Sequence, residues 1–542
     1  MSHSKMVPLQ GTEQSPVAGA RVLGPSDPHQ LIELSVTIKN RRALPEMVAT
    51  SRVLSHNELV KGFGAEIAHI DTMRQFAQNN KLNFLAQGDE VLRRTVKLSG
   101  TVIAMEKAFA VELVEFEHDH GSYRGHTGPI SMPEECAQFV TGVFGLDDRE
   151  VAQPHFQLED NKTEFDDQVR YTTYTPPQVA KLYHFPNDPN GNGQRIALIE
   201  LGGGYRPTDV TNYFQSLELQ APSVKCLSVD QANNRPGVAQ SSDCQVMLDI
   251  EMAGAIAPGV AIAVYFAPNT ARGFQNALSK AVHDQLNKPS VICIGWGAAE
   301  CHWSKQSMEN FNMVAHEAAM LGITITVASG NDGSSCGMTD GRMHVDFPAS
   351  CPYVLAVGGT RLSSADGAIT NELAWNNGST DGGSQWGRSE SGGVTGGGVS
   401  SHFACPAYQD NHVSQRSRGT PDIVANADPA SGYKILVDGQ RQVVGGSSAA
   451  AALIAGLVIV LNHKVSRKLG FINPLFYKLC RSTAFHEIAA GSNGAHHAFR
   501  GWNPVSGLGS PVGTEMLRHM AASIADDGQM AMEIPMAIDT MH

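Results

Sequence analysis

The chain has 542 residues, too many for one ordinary domain, so at least two are expected. Hydrophobic residues make up 42% and charged residues 17%, which fits a globular protein with a sizeable core and excludes an extended, disordered chain. A net charge of -13, with a pI near 5.9, argues against nucleic acid as a partner.

Met1 to Lys5 has no apolar stretch behind it, so no Sec signal peptide is expected. Residues 1–28 are polar and rich in Pro, Gly and Ser and are expected to be mobile. From Leu31 onward, Leu34, Val36 and Ile38 alternate with polar residues, the pattern of a half-buried strand. Met73–Leu82 reads as a helix, Val96–Gly100 as a strand, Thr101–Ala110 as a helix and Val111–His118 as a strand, followed by the turn Asp119-His120-Gly121. Residues 29–157 therefore form a small α+β domain. The charged stretch 158–170 cannot build a core and reads as a linker.

The rest of the chain, 171–520, has a different pattern. Short continuous apolar runs alternate with helical segments: Ile196–Ile199, Ala261–Phe266, Val291–Ile294, Ile323–Val327 and Val354–Val357. Such strands, buried on both sides and separated by helices, predict a parallel sheet with helices on both faces. Sites in such folds lie at the carboxyl ends of the strands, where Glu200, Trp296 and Asn331 fall. The apolar run Ala449–Leu461 is too short to span a bilayer and contains a glycine, so no membrane segment is expected. Nine cysteines without CxxC spacing suggest free thiols rather than a disulfide framework or zinc site. Residues 521–542, Met-rich and without periodicity, are expected to be disordered.

Four segments could carry chemistry. Ser448 follows two glycines and opens an apolar helix, so its hydroxyl could be presented as a nucleophile at a helix N-terminus; it could equally be an N-cap. Gln245 and Asp249 are four apart and share one helix face, yet Asp243 as N-cap and Asp249 as a solvated charge would also explain this segment. Asn331 follows a strand in Gly330-Asn331-Asp332-Gly333, where its amide could donate to an oxyanion or simply form a turn. Glu200 precedes Gly202-Gly203-Gly204, a poor phosphate loop because no Lys-Ser/Thr follows.

Taken together and in order, the motifs resemble those of the sedolisins, the serine-carboxyl peptidases, close to the kumamolisin branch. The similarity rests on IELGGGY at 199–205, LDIEMAGAIAPG at 248–259, VYFAPN at 264–269, HVDFPAS at 344–350, TGGGVS at 395–400, NADPASGY at 426–433, GGSSA at 445–449 and GLGSP at 507–511. FAVELVEFEHDHGSYRG at 109–125 resembles that family's prosegment. The resemblance implies a subtilisin-like α/β core preceded by a ferredoxin-like inhibitory prodomain, with the mature chain starting near Tyr171 to Tyr174. It also implies a Ser nucleophile at Ser448, a supporting Asp at Asp249 and outer network members at Glu200 and Trp296. Gln245 falls on the family's Glu base, and Asn331 on its oxyanion Asp. Asp346 is a candidate for the substrate cleft.

The two substitutions differ in consequence. Asn331 can donate at any pH, whereas an Asp must be protonated to do so. An amide at Gln245 cannot accept the serine proton or return it to the leaving amine. Asp243 and Glu251 lie on other helix faces, and no GHGTH-like segment supplies a histidine. The family's calcium site maps to Glu487, Ile488, Phe499, Gly501 and Asn503; one carboxylate is lost there and Arg500 is added, so calcium affinity should be weakened or absent. Ser447 for the usual Thr and Ala452 for the usual Pro read as packing changes.

Two functions follow. One is a serine endopeptidase zymogen acting on peptides or proteins; the other is a pseudopeptidase that binds peptides, proteins or its own prosegment without turnover. The base position favours the second. A monomer is expected, with the prosegment as partner in cis. The family is often extracellular, so export would need a route other than a Sec signal.

Overall fold

The computed structural model describes residues 5–47, 52–118, 121–159, 172–237, 240–378 and 393–532. Its centre is an eight-stranded sheet. Six strands run in the order Ser223–Ser228, Ala261–Phe266, Arg195–Glu200, Val291–Ile294, Thr324–Ala328 and Leu355–Ala365, all parallel. Ala368–Ala374 adds antiparallel to the last of these, and Ile423–Asn426 pairs with it in parallel. The five apolar runs each became a strand of this sheet.

The period-2 alternation of a strand divides each run between two cores. Ile196, Leu198, Val264, Phe266, Val291 and Cys293 pack on the side of helices Gln240–Ile256 and Ser447–Lys464. Ala197, Ile199, Ala263, Tyr265, Ile292 and Ile294 pack on the side of helices Ala271–Val282 and Lys305–Met320. The Ser447–Lys464 helix is apolar all round because it is buried from Ser447 to Asn462. By length and composition it could cross a membrane, but it forms the middle of this core. All nine cysteines are free thiols.

The N-terminal domain has a four-stranded antiparallel sheet in the order Asn83–Leu85, Thr95–Thr101, Leu31–Ile38 and Val140–Phe144. Helices Ile67–Asn79 and Val102–Phe109 link its strands, which is the ferredoxin-like arrangement. A second small sheet joins Arg21–Pro25, Val114–His118 and Gly121–Gly125. Asp119 and His120 of the expected turn lie outside the described residues.

Two expectations are corrected. The N-terminal stretch is built into the domain from Lys5 onward: Met6–Pro8 pairs with Ser131–Pro133, Arg21–Pro25 pairs with Val114–His118, and Leu9 is buried. Backbone pairing supplies the order that its polar composition hides. At the other end, helix Gly513–Met532 continues through residues 521–532, with Met516 and Met520 anchored in the core. Residues 533–542 lie outside the described residues, as do 160–170 of the linker and Tyr171 after it.

The two domains meet through buried polar contacts. Arg94 donates from Nε to Glu317 Oε1 at 2.7 Å, with Asn40 Nδ2 on the same oxygen at 2.9 Å. Lys97 Nζ bonds Asp230 Oδ1 at 2.7 Å, and Asn276 Nδ2 donates to Ser35 Oγ at 2.9 Å.

Candidate functional site

The site forms where the carboxyl ends of the central strands meet the start of the Ser447–Lys464 helix. Glu200 ends its strand, Trp296 follows Val291–Ile294, and Asn331 follows Thr324–Ala328. The Gln240–Ile256 helix lies alongside and supplies Gln245 and Asp249. Asp243 is inside the first turn of that helix rather than capping it, and its carboxylate holds the Gly237 N–H. Asp249 is buried, not solvated, and Glu251 turns away from the serine to accept the Leu436 N–H at 3.0 Å.

Glu200, Gln245, Asp249 and Ser448 are all 0% exposed. Trp296 Nε1 donates to Glu200 Oε2 at 3.0 Å, and Gln245 Nε2 donates to Asp249 Oδ1 at 2.9 Å. Burial pushes the Glu200 carboxyl far above its usual range, and the neighbouring Asp249 adds to this. Burial pushes Asp249 up to about 7 against the opposing hydrogen bonds from Gln245 and Glu200. Burial thus favours the protonated form across this carboxyl pair, which titrates as a unit. Gly295 marks the point where Gln245 and Ser448 converge: a Cβ there would lie 2.2 Å from Gln245 Nε2 and 3.0 Å from Ser448 Cβ. Neither Ser448 Oγ nor Gln245 Oε1 has a hydrogen-bond partner among the described residues.

Asn331 is oriented by its neighbours. Its Oδ1 accepts from Ser447 N at 2.9 Å and from Ser447 Oγ at 2.8 Å, while Gly330 N donates to Ser447 Oγ at 3.1 Å. With the oxygen held, the Asn331 NH2 group must face the cleft. Ser447 is therefore more than a packing residue: its hydroxyl fixes which way the amide points. Ala452 is fully buried in the core.

The end of the N-terminal domain lies across this site, which the sequence pattern did not suggest. Gln153–Pro154 pairs antiparallel with Trp296–Gly297, and Gln157–Leu158 pairs with Val444–Gly445. Between them His155 N donates to Gly295 O at 2.8 Å, and Ser448 N donates to His155 O at 3.1 Å. Asn331 Nδ2 reaches Phe156 O at 3.4 Å. The two amide donors therefore meet successive carbonyls of the strand. Gly446, at φ 104°, permits this approach, since a Cβ there would sit 2.2 Å from His155 O.

His155 points into a closed pocket, with Nε2 2.9 Å from Asp346 Oδ2. Burial pushes the imidazole down, but Asp346 more than offsets this and raises it. Burial also raises Asp346, although His155 pulls it down. Asp346 is itself buried, opposite His155. A cavity of about 890 Å³ lies beyond the strand, between Leu158, Tyr213, Lys434 and Arg441; Ser448 itself is covered.

Away from this cleft, Glu487, Ile488, Phe499, Gly501 and Asn503 do come together in one loop cluster. Gly501 N donates to Glu487 Oε1 at 3.0 Å, and Asn503 Nδ2 donates to Phe499 O at 2.8 Å.

The geometry agrees with what comparison with known proteins finds. Residues 18–149 match the pro-kumamolisin activation domain, and residues 230–468 match the subtilase family. Kumamolisin of Bacillus sp. (strain MN-32) is 40% identical over 551 aligned positions, covering 96% of either chain. Sedolisin of Pseudomonas sp. (strain 101) is 27% identical, over 77% of this chain and 73% of that one. Among solved structures, Pseudomonas sedolisin, a serine-carboxyl proteinase complexed with two molecules of pseudo-iodotyrostatin, superposes with a TM-score of 0.58 at 25% identity, over 65% of this chain and 99% of that one. With its activation domain and its subtilisin-like domain both matched, the chain belongs to the sedolisin family of serine peptidases, on its kumamolisin side.

Proposed function

We propose that this chain is a sedolisin-type zymogen whose cleft holds a peptide in substrate orientation but turns it over very slowly or not at all, because Gln245 stands at the base position. The observation that carries this reading is the Gln245 Nε2 to Asp249 Oδ1 hydrogen bond beside Ser448. For Ser448 Oγ to bond a peptide carbonyl carbon, its proton must leave, and later return to the departing amine. An amide oxygen is far too weak a base for either transfer. Asp249 and Glu200 do not substitute, since one carboxyl keeps its proton and the pair lies behind Gln245.

The remaining machinery suits acyl transfer. The Ser448 N–H and the Asn331 amide are the two donors available to an oxyanion. The edge Gly295–Gly297 binds an extended chain by strand addition, and Asp346 receives a basic side chain. By this reading the prosegment strand is a bound pseudo-substrate, with the His155–Phe156 bond presented to Ser448. Attack requires the Asn331 amide to move from Phe156 O onto His155 O.

The test is self-cleavage. The full-length chain and its Gln245→Glu variant are incubated from acid to neutral pH and their intact masses read. Cleavage of the variant alone, at His155–Phe156 or just beyond it, supports the proposal. Cleavage of the natural chain at a comparable rate overturns it, because a base other than residue 245 must then exist.

A further inference from the structure

The family's calcium site maps onto a loop cluster whose donors are already used. A bound calcium ion needs several oxygen lone pairs directed at it. Here the Phe499 and Gly501 carbonyls instead accept from Asn503 Nδ2, at 2.8 and 3.3 Å. The Ile488 carbonyl accepts from Ser506 Oγ at 2.8 Å. Glu487 turns its Oε1 to the Gly501 N–H at 3.0 Å.

The Asn503 amide cannot simply rotate to offer oxygen. Its Oδ1 accepts from Val505 N at 3.0 Å and from Ser506 N at 2.9 Å. Flipping the group would set its NH2 against two backbone N–H donors and its oxygen against two carbonyls, losing all four of its bonds to the backbone at once. A carboxylate in this position would keep the two N–H bonds and present a second oxygen to the carbonyls, an arrangement that calls for a cation. Asn503 presents N–H instead. Asn503 and Ser506 are buried, so these bonds are not in exchange with solvent. Positive charge also lies close by: a Cβ on Gly501 would be 3.1 Å from Arg481 Nη2.

We infer that this loop is closed by a side-chain amide in place of a metal ion, so that the folded domain neither binds nor requires calcium here. The Asn503 NH2 group, with the Ser506 hydroxyl, satisfies the three carbonyls that would otherwise surround the ion. The residues present do not fit calcium.

Thermal unfolding of the full-length chain in EDTA and in calcium chloride, at matched ionic strength, tests this directly and independently of any cleavage. The expected result is one Tm in both buffers and no heat of calcium binding by titration calorimetry. A Tm that rises saturably with calcium, and not with matched magnesium, overturns the inference. Asn503→Asp should make the protein calcium-responsive, with Tm lowered in EDTA and restored by calcium. Asn503→Ala, which presents no charge, should lower Tm equally in both buffers. An unchanged Tm in Asn503→Ala would also overturn the inference, since the amide would then not be what closes the loop.

Discussion

Gln245 and Asp249 lie one helical turn apart and are joined by a 2.9 Å hydrogen bond in which the amide donates to the carboxylate. The bond commits one Gln245 N–H to the acid pair, and what remains, a second N–H and the amide oxygen, includes no group basic enough to take the serine proton. Gln245→Glu should therefore restore self-cleavage, with a rate roughly 10⁴-fold or more above the natural chain, the scale on which a serine protease loses activity with its base. Adding Ser448→Ala to the variant should return the rate to background. The measurement is the appearance of the prosegment fragment with time.

Asn331 supports a second prediction, made in the Gln245→Glu background. Asn331→Ala should slow cleavage by about 10²- to 10³-fold, the usual cost of removing one oxyanion donor. Asn331→Asp should cleave well only at acid pH, where the carboxyl is protonated and donates, and should fade toward neutrality. Rate profiles against pH for the three chains distinguish a donor from a structural Asn, since a structural role would shift rates without reshaping the profile.

What could be read from the sequence follows from how each element is buried. Ile196–Ile199 and Val291–Ile294 were legible because a strand covered on both faces is apolar throughout. Gln245 and Asp249 were legible as a pair because four-residue spacing on a helix fixes their contact wherever the helix packs. Met6–Pro8 and Arg21–Pro25 were not, because edge strands with exposed side chains carry no apolar alternation. The helix through residues 521–532 was not legible either, because its core anchors Met516 and Met520 lie before that stretch. The passage of His155 and Phe156 through the cleft was invisible because backbone groups of Gly295 and Ser448 and the side-chain amide of Asn331, from three distant segments, hold it. The role of Ser447 likewise depends on Asn331, 116 residues away in the chain, coming beside it.

The interface between the domains should be sensitive to strong acid. Glu317 is buried against Arg94 Nε at 2.7 Å, with His283 Nε2 3.3 Å from its other oxygen. Burial would raise this carboxyl, but the Arg94 charge and the His283 contact outweigh it and hold Glu317 down at about 2. A carboxyl lowered by folding contributes stability that is present above its unfolded value. That stability is lost as pH falls from there through about 2. Glu317→Gln should destabilise the full chain at neutral pH by about 3–5 kcal/mol, because Arg94 is left buried and unpaired. Urea unfolding from pH 7 to pH 2 should show the natural chain losing more stability than the variant across the acid range, with the gap narrowing. A gap that stays constant with pH would mean that the Arg94 pairing contributes nothing that titrates.

The grip of the cleft on the prosegment strand should weaken in the other direction. His155 and Asp346 face each other at 2.9 Å in a site closed by Gly297, whose Cβ, if present, would lie 2.0 Å from Asp346 Oδ1. Cys336 Sγ, 3.7 Å from Asp346 Oδ2, also donates to that carboxylate, and Asp332 adds negative charge beside the pair. Folding raises the His155 imidazole because Asp346 overcomes the cost of burial. A histidine raised in this way contributes stability that is fully present below its unfolded value, near 6.5. It is lost as pH rises through the higher folded value. Above that point a neutral imidazole faces a buried carboxylate, and the pair no longer favours the docked strand. Asp346→Asn removes the partner while keeping its shape, so it should cost about 1.5–3 kcal/mol at mildly acid pH, the range for a charge-assisted buried hydrogen bond. The difference in Tm between the natural chain and Asp346→Asn, followed from mildly acid to alkaline pH, should shrink with rising pH and vanish once His155 is neutral. A difference that grows with pH would mean that Asp346 holds the strand through a neutral hydrogen bond, and that the strand does not enter this pocket as a cation.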